Sequence, residues 1–235
     1  MVVVEPPTAP IFQERLTGLF APDVRTTAMP TILAGAVASF LAPSWVALPL
    51  LVLGGFFAVF FRNPPRRIPE DPDAVVAPAD GKVIEVCETE LPDGSKARRI
   101  GIFLSVFDVH VNRAPVAGRV LSLARSGAQY LAAFNPNAVT RNVQLAIDIE
   151  MATGARVRVV QITGLIARRI VCHVEPGEWL DRGVRFGLIR FGSRTDVILP
   201  LSAEVTVAVG ERVTGGSSIV ARLPGASGVR ARSAA

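Results

Sequence analysis

The chain has 235 residues, half of them hydrophobic, and a net charge of +5, which is enough for one sizeable core and a bias toward anionic partners. Its two cysteines, Cys87 and Cys172, stand far apart in no metal-ligating spacing. With no cleavable signal pattern either, a reducing cytoplasmic setting is the simpler assumption. A basic face interleaved with aromatics, which nucleic-acid binding would need, is not visible.

Residues 1–25 read as an N-terminal segment on the cytoplasmic side of a membrane. From Thr26 to Phe61 there is no charged residue over 36 positions, which as one helix would be roughly 54 Å long against a hydrocarbon core of about 30 Å. Pro43 and Ser44 split this stretch into pieces of 17 and 18 residues, so residues 26–62 are expected to form a helical hairpin, transmembrane or re-entrant. Pro49 and the Gly54-Gly55 pair weaken the second helix, and a buried hairpin in a soluble protein is the competing reading. Arg15 and Arg25 precede the stretch and Arg62, Arg66 and Arg67 follow it, so both flanks are expected on the cytoplasmic face. The next domain would then lie against the anionic inner leaflet of the cytoplasmic membrane.

A Pro-rich linker, 63–72, leads into short valine-rich runs separated by Gly and Pro, which predict a mainly β domain over 73–220, followed by a tail, 221–235. Two echoes organise it. Ala77-Pro78-Ala79-Asp80-Gly81-Lys82-Val83-Ile84 recurs in form as Ala114-Pro115-Val116-Ala117-Gly118-Arg119-Val120-Leu121, and the segment Val174–Gly183 recurs as Val207–Gly216 at a spacing of 33. Repeated strand-turn-strand units predict a pseudo-symmetric β sandwich, resembling the barrel-sandwich hybrid of biotinyl and lipoyl domains. Gly216 then falls where Gly183 closes a turn, so the Gly216-Ser217 bond is expected in a constrained turn.

Histidine occurs only at His110 and His173. His110 lies in a strand-like segment, Phe103 to Pro115, where Asp108 shares its face at a spacing of two; both would line one cleft suited to general acid and base catalysis. His173 reads as an ordinary strand residue, and Asp80 as a turn aspartate. The run Gly215-Gly216-Ser217-Ser218 carries the sharpest chemistry. If a base reaches its hydroxyl, Ser217 attacks the Gly216 carbonyl and the amide becomes an ester. Elimination across Ser217 then leaves a pyruvoyl group, an electrophile for an amine substrate.

Together these features resemble the phosphatidylserine decarboxylase family in its short, membrane-anchored form, from about Phe60 to Val220. The resemblance rests on Phe61-Arg62-Asn63-Pro64, Pro78-Ala79-Asp80-Gly81, Leu104-Ser105 with Asp108 and His110, Phe186-Gly187-Leu188-Ile189-Arg190-Phe191-Gly192-Ser193-Arg194, and Gly216-Ser217-Ser218. It implies self-cleavage between Gly216 and Ser217 into a long β chain and a 19-residue α chain headed by a pyruvoyl from Ser217. It also implies that Asp80 and a histidine activate Ser217, and that His110 serves decarboxylation of phosphatidylserine to phosphatidylethanolamine and carbon dioxide. Many members carry a second histidine where this chain has Arg113, and arginine is no base at neutral pH. Either His110 takes both roles or Asp80 and water do the activation; the first is preferred.

Ser105, Arg141 and Asn142 are carried over as lipid contacts, and Arg62, Arg66, Arg67 and Arg141 would hold the lipid phosphate. No metal is expected. Pyridoxal phosphate is disfavoured because only Lys82 and Lys96 could carry it. A homodimer is left open, as is the same chemistry on an archaetidylserine-type ether lipid. The reading from another class is a non-enzymatic, membrane-tethered carrier or adaptor.

Overall fold

A computed structural model describes residues 19–21, 24–91, 93–166, 168–190 and 192–224. Most of the expected N-terminal segment, including Arg15, lies outside the described residues, as do Phe191 and residues 225–235 of the tail. Two units result, a helical one reaching Pro65 and a β unit from Arg66 onward.

In the helical unit α1 (Ala28–Leu41) and α2 (Ser44–Phe60) form the expected hairpin. Ala42 is extended and Pro43 takes the N-cap position of α2, so the chain reverses where proline forbids a continuous helix. The two helices are shorter than the sequence suggests, 14 and 17 residues, because Thr26 and Thr27 belong to the preceding turn and Ala42 and Phe61 are the C-caps. No helix among the described residues is long and apolar enough to cross a membrane. Gly54 is a contact and not a weak point: a Cβ there would lie 2.5 Å from Ile32 Cγ1, and one at Gly35 would lie 2.9 Å from Leu51. Leu33, Phe40, Leu41, Trp45 and Leu48 remain exposed on this hairpin.

The β unit has fourteen described strands: β1 (Ala74–Val76), β2 (Gly81–Glu90), β3 (Lys96–Leu104), β4 (Val111–Arg113), β5 (Gly118–Ser126), β6 (Gln144–Glu150), β7 (Arg156–Ile162), β8 (Ile170–Cys172), β9 (Trp179–Leu180), β10 (Arg185–Ile189), β11 (Ser193–Pro200), β12 (Glu204–Val205), β13 (Arg212–Val213) and β14 (Ile219–Arg222). A short helix, α3 (Ala138–Arg141), precedes β6. The strands form an eight-stranded antiparallel sheet, β13-β2-β3-β11-β7-β6-β5-β9, and two three-stranded sheets, β1-β14-β12 and β4-β10-β8. Alternation decides which face is inward. In β6 Leu145, Ile147 and Ile149 are buried while Gln144, Ala146, Asp148 and Glu150 are half-buried. They join Ile100, Ile102, Leu104, Ile162, Phe186 and Leu188 in the core.

The strand pairs repeat across a pseudo-twofold relation. Lys82 pairs with Arg212 and Gly81 with Val213, as Arg119 pairs with Trp179 and Gly118 with Leu180. In the small sheets Val75, Ala221 and Val205 stand in one row, as Asn112, Gly187 and Cys172 do in the other. One residue breaks the match. Ala114 N–H donates to Val184 O at 2.8 Å, but its counterpart Ala77 N–H donates to Ser218 O at 2.8 Å, one position later than the repeat requires. The slip falls at Ser217.

Candidate active site

The turn from Gly215 to Ser218 closes on Thr214. Its carbonyl accepts N–H bonds from Ser217 at 3.0 Å and Ser218 at 2.9 Å, while Ser218 Oγ accepts the Thr214 N–H at 2.9 Å. Gly216 N–H donates to Ala77 O at 2.8 Å, which ties the turn to the β1 end. Gly216 sits at φ +79°, a left-handed conformation that an L side chain takes only with strain. Ser217 is half-buried and its Oγ makes no hydrogen bond among the described residues, so the hydroxyl is uncommitted beside an over-determined peptide.

Three charges converge on this turn. Asp80 Oδ1 accepts the Gly215 N–H at 2.8 Å, and the same carboxylate pairs with Arg66 at 2.7 and 3.0 Å. Arg113 reaches from β4: a Cβ on Gly216 would lie 2.9 Å from its Cδ, and its Nη1 donates to Gly183 O at 3.0 Å. Burial, and then the positive charge of Arg66, bring the Arg113 pKa down from the ordinary arginine value to about 10, with Asp80 partly offsetting this. Arg113 thus remains a cation at neutral pH. Arg66 is committed to Asp80, so of the four arginines expected to hold a phosphate it is the one built into this cluster.

His110 is 1 % exposed and held at both ring nitrogens. Nδ1 lies 2.9 Å from Asp108 O, and Nε2 accepts the Gly192 N–H at 3.1 Å, which fits a neutral ring with its proton on Nδ1. The expected strand around it is instead a turn over residues 105–110. Asp108 N–H donates to Ser105 O at 3.0 Å, and the Asp108 carboxylate accepts from Ser105 N–H at 2.8 Å and Ser105 Oγ at 2.7 Å. A short acidic side chain satisfies nearby backbone donors more readily than it extends a strand. The carboxylate of Asp108 therefore does not share a cleft face with His110; its backbone carbonyl orients the ring. The same carboxylate also pairs with Arg212 of β13, which joins the His110 loop to the strand leading into the Gly216 turn.

Asn142 is fully buried. Its amide donates to Leu131 O and Thr163 O and accepts from Leu131 N–H, each at 2.8 Å. These bonds engage its side-chain amide in holding two loops together, where the family resemblance implied a headgroup contact. Arg141 beside it is exposed on α3. Ser105 likewise spends its hydroxyl on Asp108. Lys82 and Lys96 are both exposed. Among the described residues no group of three or more His, Cys, Asp or Glu side chains is placed to hold a metal ion.

Sequence reasoning gave no role to Thr214, Gly192 or Arg212. Gly192 stood in the motif over 186–194, and the spacing of 33 sets Thr214 against Asp181, whose carbonyl accepts the Val184 N–H at 3.1 Å as Thr214 O accepts that of Ser217.

Residues 53–221 match the family model described as phosphatidylserine decarboxylase. Among curated relatives, the phosphatidylserine decarboxylase proenzyme of Cupriavidus pinatubonensis is 45% identical over 181 residues, 76% of this chain and 83% of that protein. The proenzyme of the same name from Geobacter sulfurreducens is 49% identical over 170 residues, 72% of this chain and 78% of the relative. That of Pelobacter propionicus is 44% identical over 199 residues, 84% and 90% of the two chains.

Proposed function

The chain belongs to the phosphatidylserine decarboxylase family, and on that premise we propose that it cuts itself between Gly216 and Ser217 and then decarboxylates phosphatidylserine to phosphatidylethanolamine. The observation that carries the cleavage site is the one-residue slip at Ser217, where a left-handed Gly216 precedes a serine whose hydroxyl has no partner among the described residues.

The step balances on this chain's own atoms. Ser217 Oγ attacks the Gly216 carbonyl carbon, the C–N bond breaks, and an ester with a free Ser217 amine results. Loss of the Ser217 α proton expels the Gly216 carboxylate and leaves dehydroalanine, which takes up one water and releases ammonia to give the pyruvoyl. Asp80 is the acceptor fixed at the turn, and with a water it is the base that its position favours. Arg113 cannot take a proton at neutral pH, but its cation beside Gly216 suits the oxyanion of the attack. This departs from the sequence preference for His110 in both roles, since Asp80 binds the turn at Gly215 while the His110 ring contacts Asp108 and Gly192.

A pyruvoyl carbonyl at position 217 would capture the substrate amine and take up the electron pair left by departing carbon dioxide. His110 holds a proton at Nδ1 and an acceptor at Nε2, and is the imidazole suited to returning a proton to the former α carbon. The α1–α2 hairpin, with its exposed apolar side chains, supports attachment to the cytoplasmic face of the membrane. Intact mass of the purified chain should give a β chain ending at Gly216 and a blocked 19-residue α chain. Ser217→Ala should stay whole and inactive, whereas His110→Ala should cleave yet release little carbon dioxide. An active chain that is never cut would overturn the proposal.

A further inference from the structure

Four strands of the large sheet reach the same edge. Leu104 at the end of β3 pairs with Ser193 at the start of β11, Arg194 pairs with Ile162 at the end of β7, and Ile162 pairs with Gln144 at the start of β6. The described parts of the loops 105–110, 127–143, 163–169 and 190–192 therefore leave the sheet together. Contacts hold them as one surface. The Asn142 amide bridges the Leu131 and Thr163 carbonyls, a Cβ on Gly164 would lie 3.3 Å from Ala133 Cβ, and the Phe134 ring stands edge-on to Phe103 at 5.9 Å.

The composition of this edge is unusual for a water-facing rim. Phe134, Leu165 and Ile166 are 67%, 63% and 66% exposed, and three arginines, Arg141, Arg168 and Arg169, are exposed among them. The Arg168 guanidinium lies 5.5 Å over the Tyr130 ring. Among the described residues of these loops the one carboxylate is Asp108, which is buried and paired with Arg212. At the opposite edge the described residues of loops 91–95, 151–155 and 201–203 contain no arginine, and Leu201 is the one exposed large apolar side chain.

Exposed apolar side chains ringed by cations, with no exposed acid, match the boundary between headgroups and acyl chains of an anionic bilayer. The apolar tips enter the acyl region while guanidiniums meet phosphates. We infer that this edge of the β unit docks on an anionic phospholipid bilayer by inserting Phe134, Leu165 and Ile166. The His110 turn leaves from the same edge and its ring takes the Gly192 N–H, so docking presents the His110 end to the lipid. As a route for substrate the surface rests on the decarboxylase reading above; as a membrane contact it does not.

The test uses the full chain with Cys87 and Cys172 replaced by Ser and a single cysteine placed at Phe134, Leu165 or, as the opposite-edge control, Ser95. Each is labelled with a nitrobenzoxadiazole fluorophore and reconstituted into vesicles of phosphatidylcholine and phosphatidylglycerol that carry an acyl-chain quencher. Labels at positions 134 and 165 should be quenched roughly fivefold more than the label at position 95. In vesicles of phosphatidylcholine alone, or after Arg141→Glu, Arg168→Glu and Arg169→Glu together, that excess should fall roughly threefold. Equal quenching at all three positions, or an excess indifferent to both changes, overturns the inference. Phosphatidylglycerol has no serine carboxylate to lose. Absent quenching therefore refutes the surface alone, and absent carbon dioxide release with quenching intact refutes the decarboxylase reading alone.

Discussion

Removing the Asp80 carboxylate separates its structural role from its chemical one. In Asp80→Ala the Gly215 N–H loses its acceptor and Arg66 loses a partner held by two contacts, with side-chain exposures of 13% for Arg66 and 19% for Asp80. Breaking a buried ion pair from one side costs about 3–5 kcal/mol, and partial exposure brings the expectation to about 2–4 kcal/mol. The acceptor at the turn contributes separately. A hydrogen bond to a charged group is worth about 1.5–3 kcal/mol, so self-cleavage should slow roughly tenfold to a hundredfold. The double variant Asp80→Ala with Arg66→Ala leaves no unpaired cation and should recover much of the stability without recovering the rate. Thermal unfolding in detergent, measured in a Ser217→Ala background, reads the first quantity, and a gel time course of β-chain appearance reads the second. Should the double variant process at the native rate, Asp80 acts only by neutralising Arg66 and the assignment is refuted.

Self-cleavage should be insensitive to pH through the neutral range as far as Arg113 is concerned and should decline as pH rises through about 10, where its cation is lost. The sign for stability is opposite: the folded pKa lies below the unfolded arginine value, so charged Arg113 disfavours folding below about pH 10 and this penalty fades above it. Arg113→His should move the decline in self-cleavage to near pH 6.5, where the imidazolium loses its charge, as read in a pH-rate series. Asn142→Ala should cost about 2–4 kcal/mol by leaving buried carbonyls and an amide unmatched, whereas exposed Arg141→Ala should leave unfolding within about 0.5 kcal/mol of native. Comparable losses for the two would show that Asn142 is not the tie between the loops.

Much of the fold is legible because it rests on local rules that need no partner. Glycine at a left-handed turn has no substitute, and the spacing of 33 aligns Gly177 with Gly210 and Gly183 with Gly216, all at positive φ. Valine-rich alternation marks strands, and a proline at the centre of an uncharged stretch marks a hairpin. The Gly216-Ser217 turn was readable in this way, whereas a link between Asp80 and Ser217 was implied only by the family resemblance. Helix length was not, because the first residues of an apolar run can belong to a turn without changing its composition. Likewise Gly54 reads as a helix breaker until Ile32 is seen packed on it.

The partners of polar side chains lay beyond sequence, because each depends on which loops the strand order brings together. Asp108 and His110 share a face only if their segment is extended; Ser105 closes it into a turn instead, and the carboxylate goes to Arg212, 104 residues away. Asn142 and Arg141 are neighbours in the chain, yet one is sealed between the Leu131 and Thr163 carbonyls and the other faces solvent. The chain by itself determined which residues can do the chemistry, because residue type sets acidity, nucleophilicity and turn preference. Only the tertiary structure decided which of them meet near Gly216, because the pairings of β1 with β14 and β2 with β13 bring Asp80, and with it Arg66, to the Gly215 N–H, while β4 carries Arg113 to Gly216 and the loop before it holds His110 between Asp108 and Gly192.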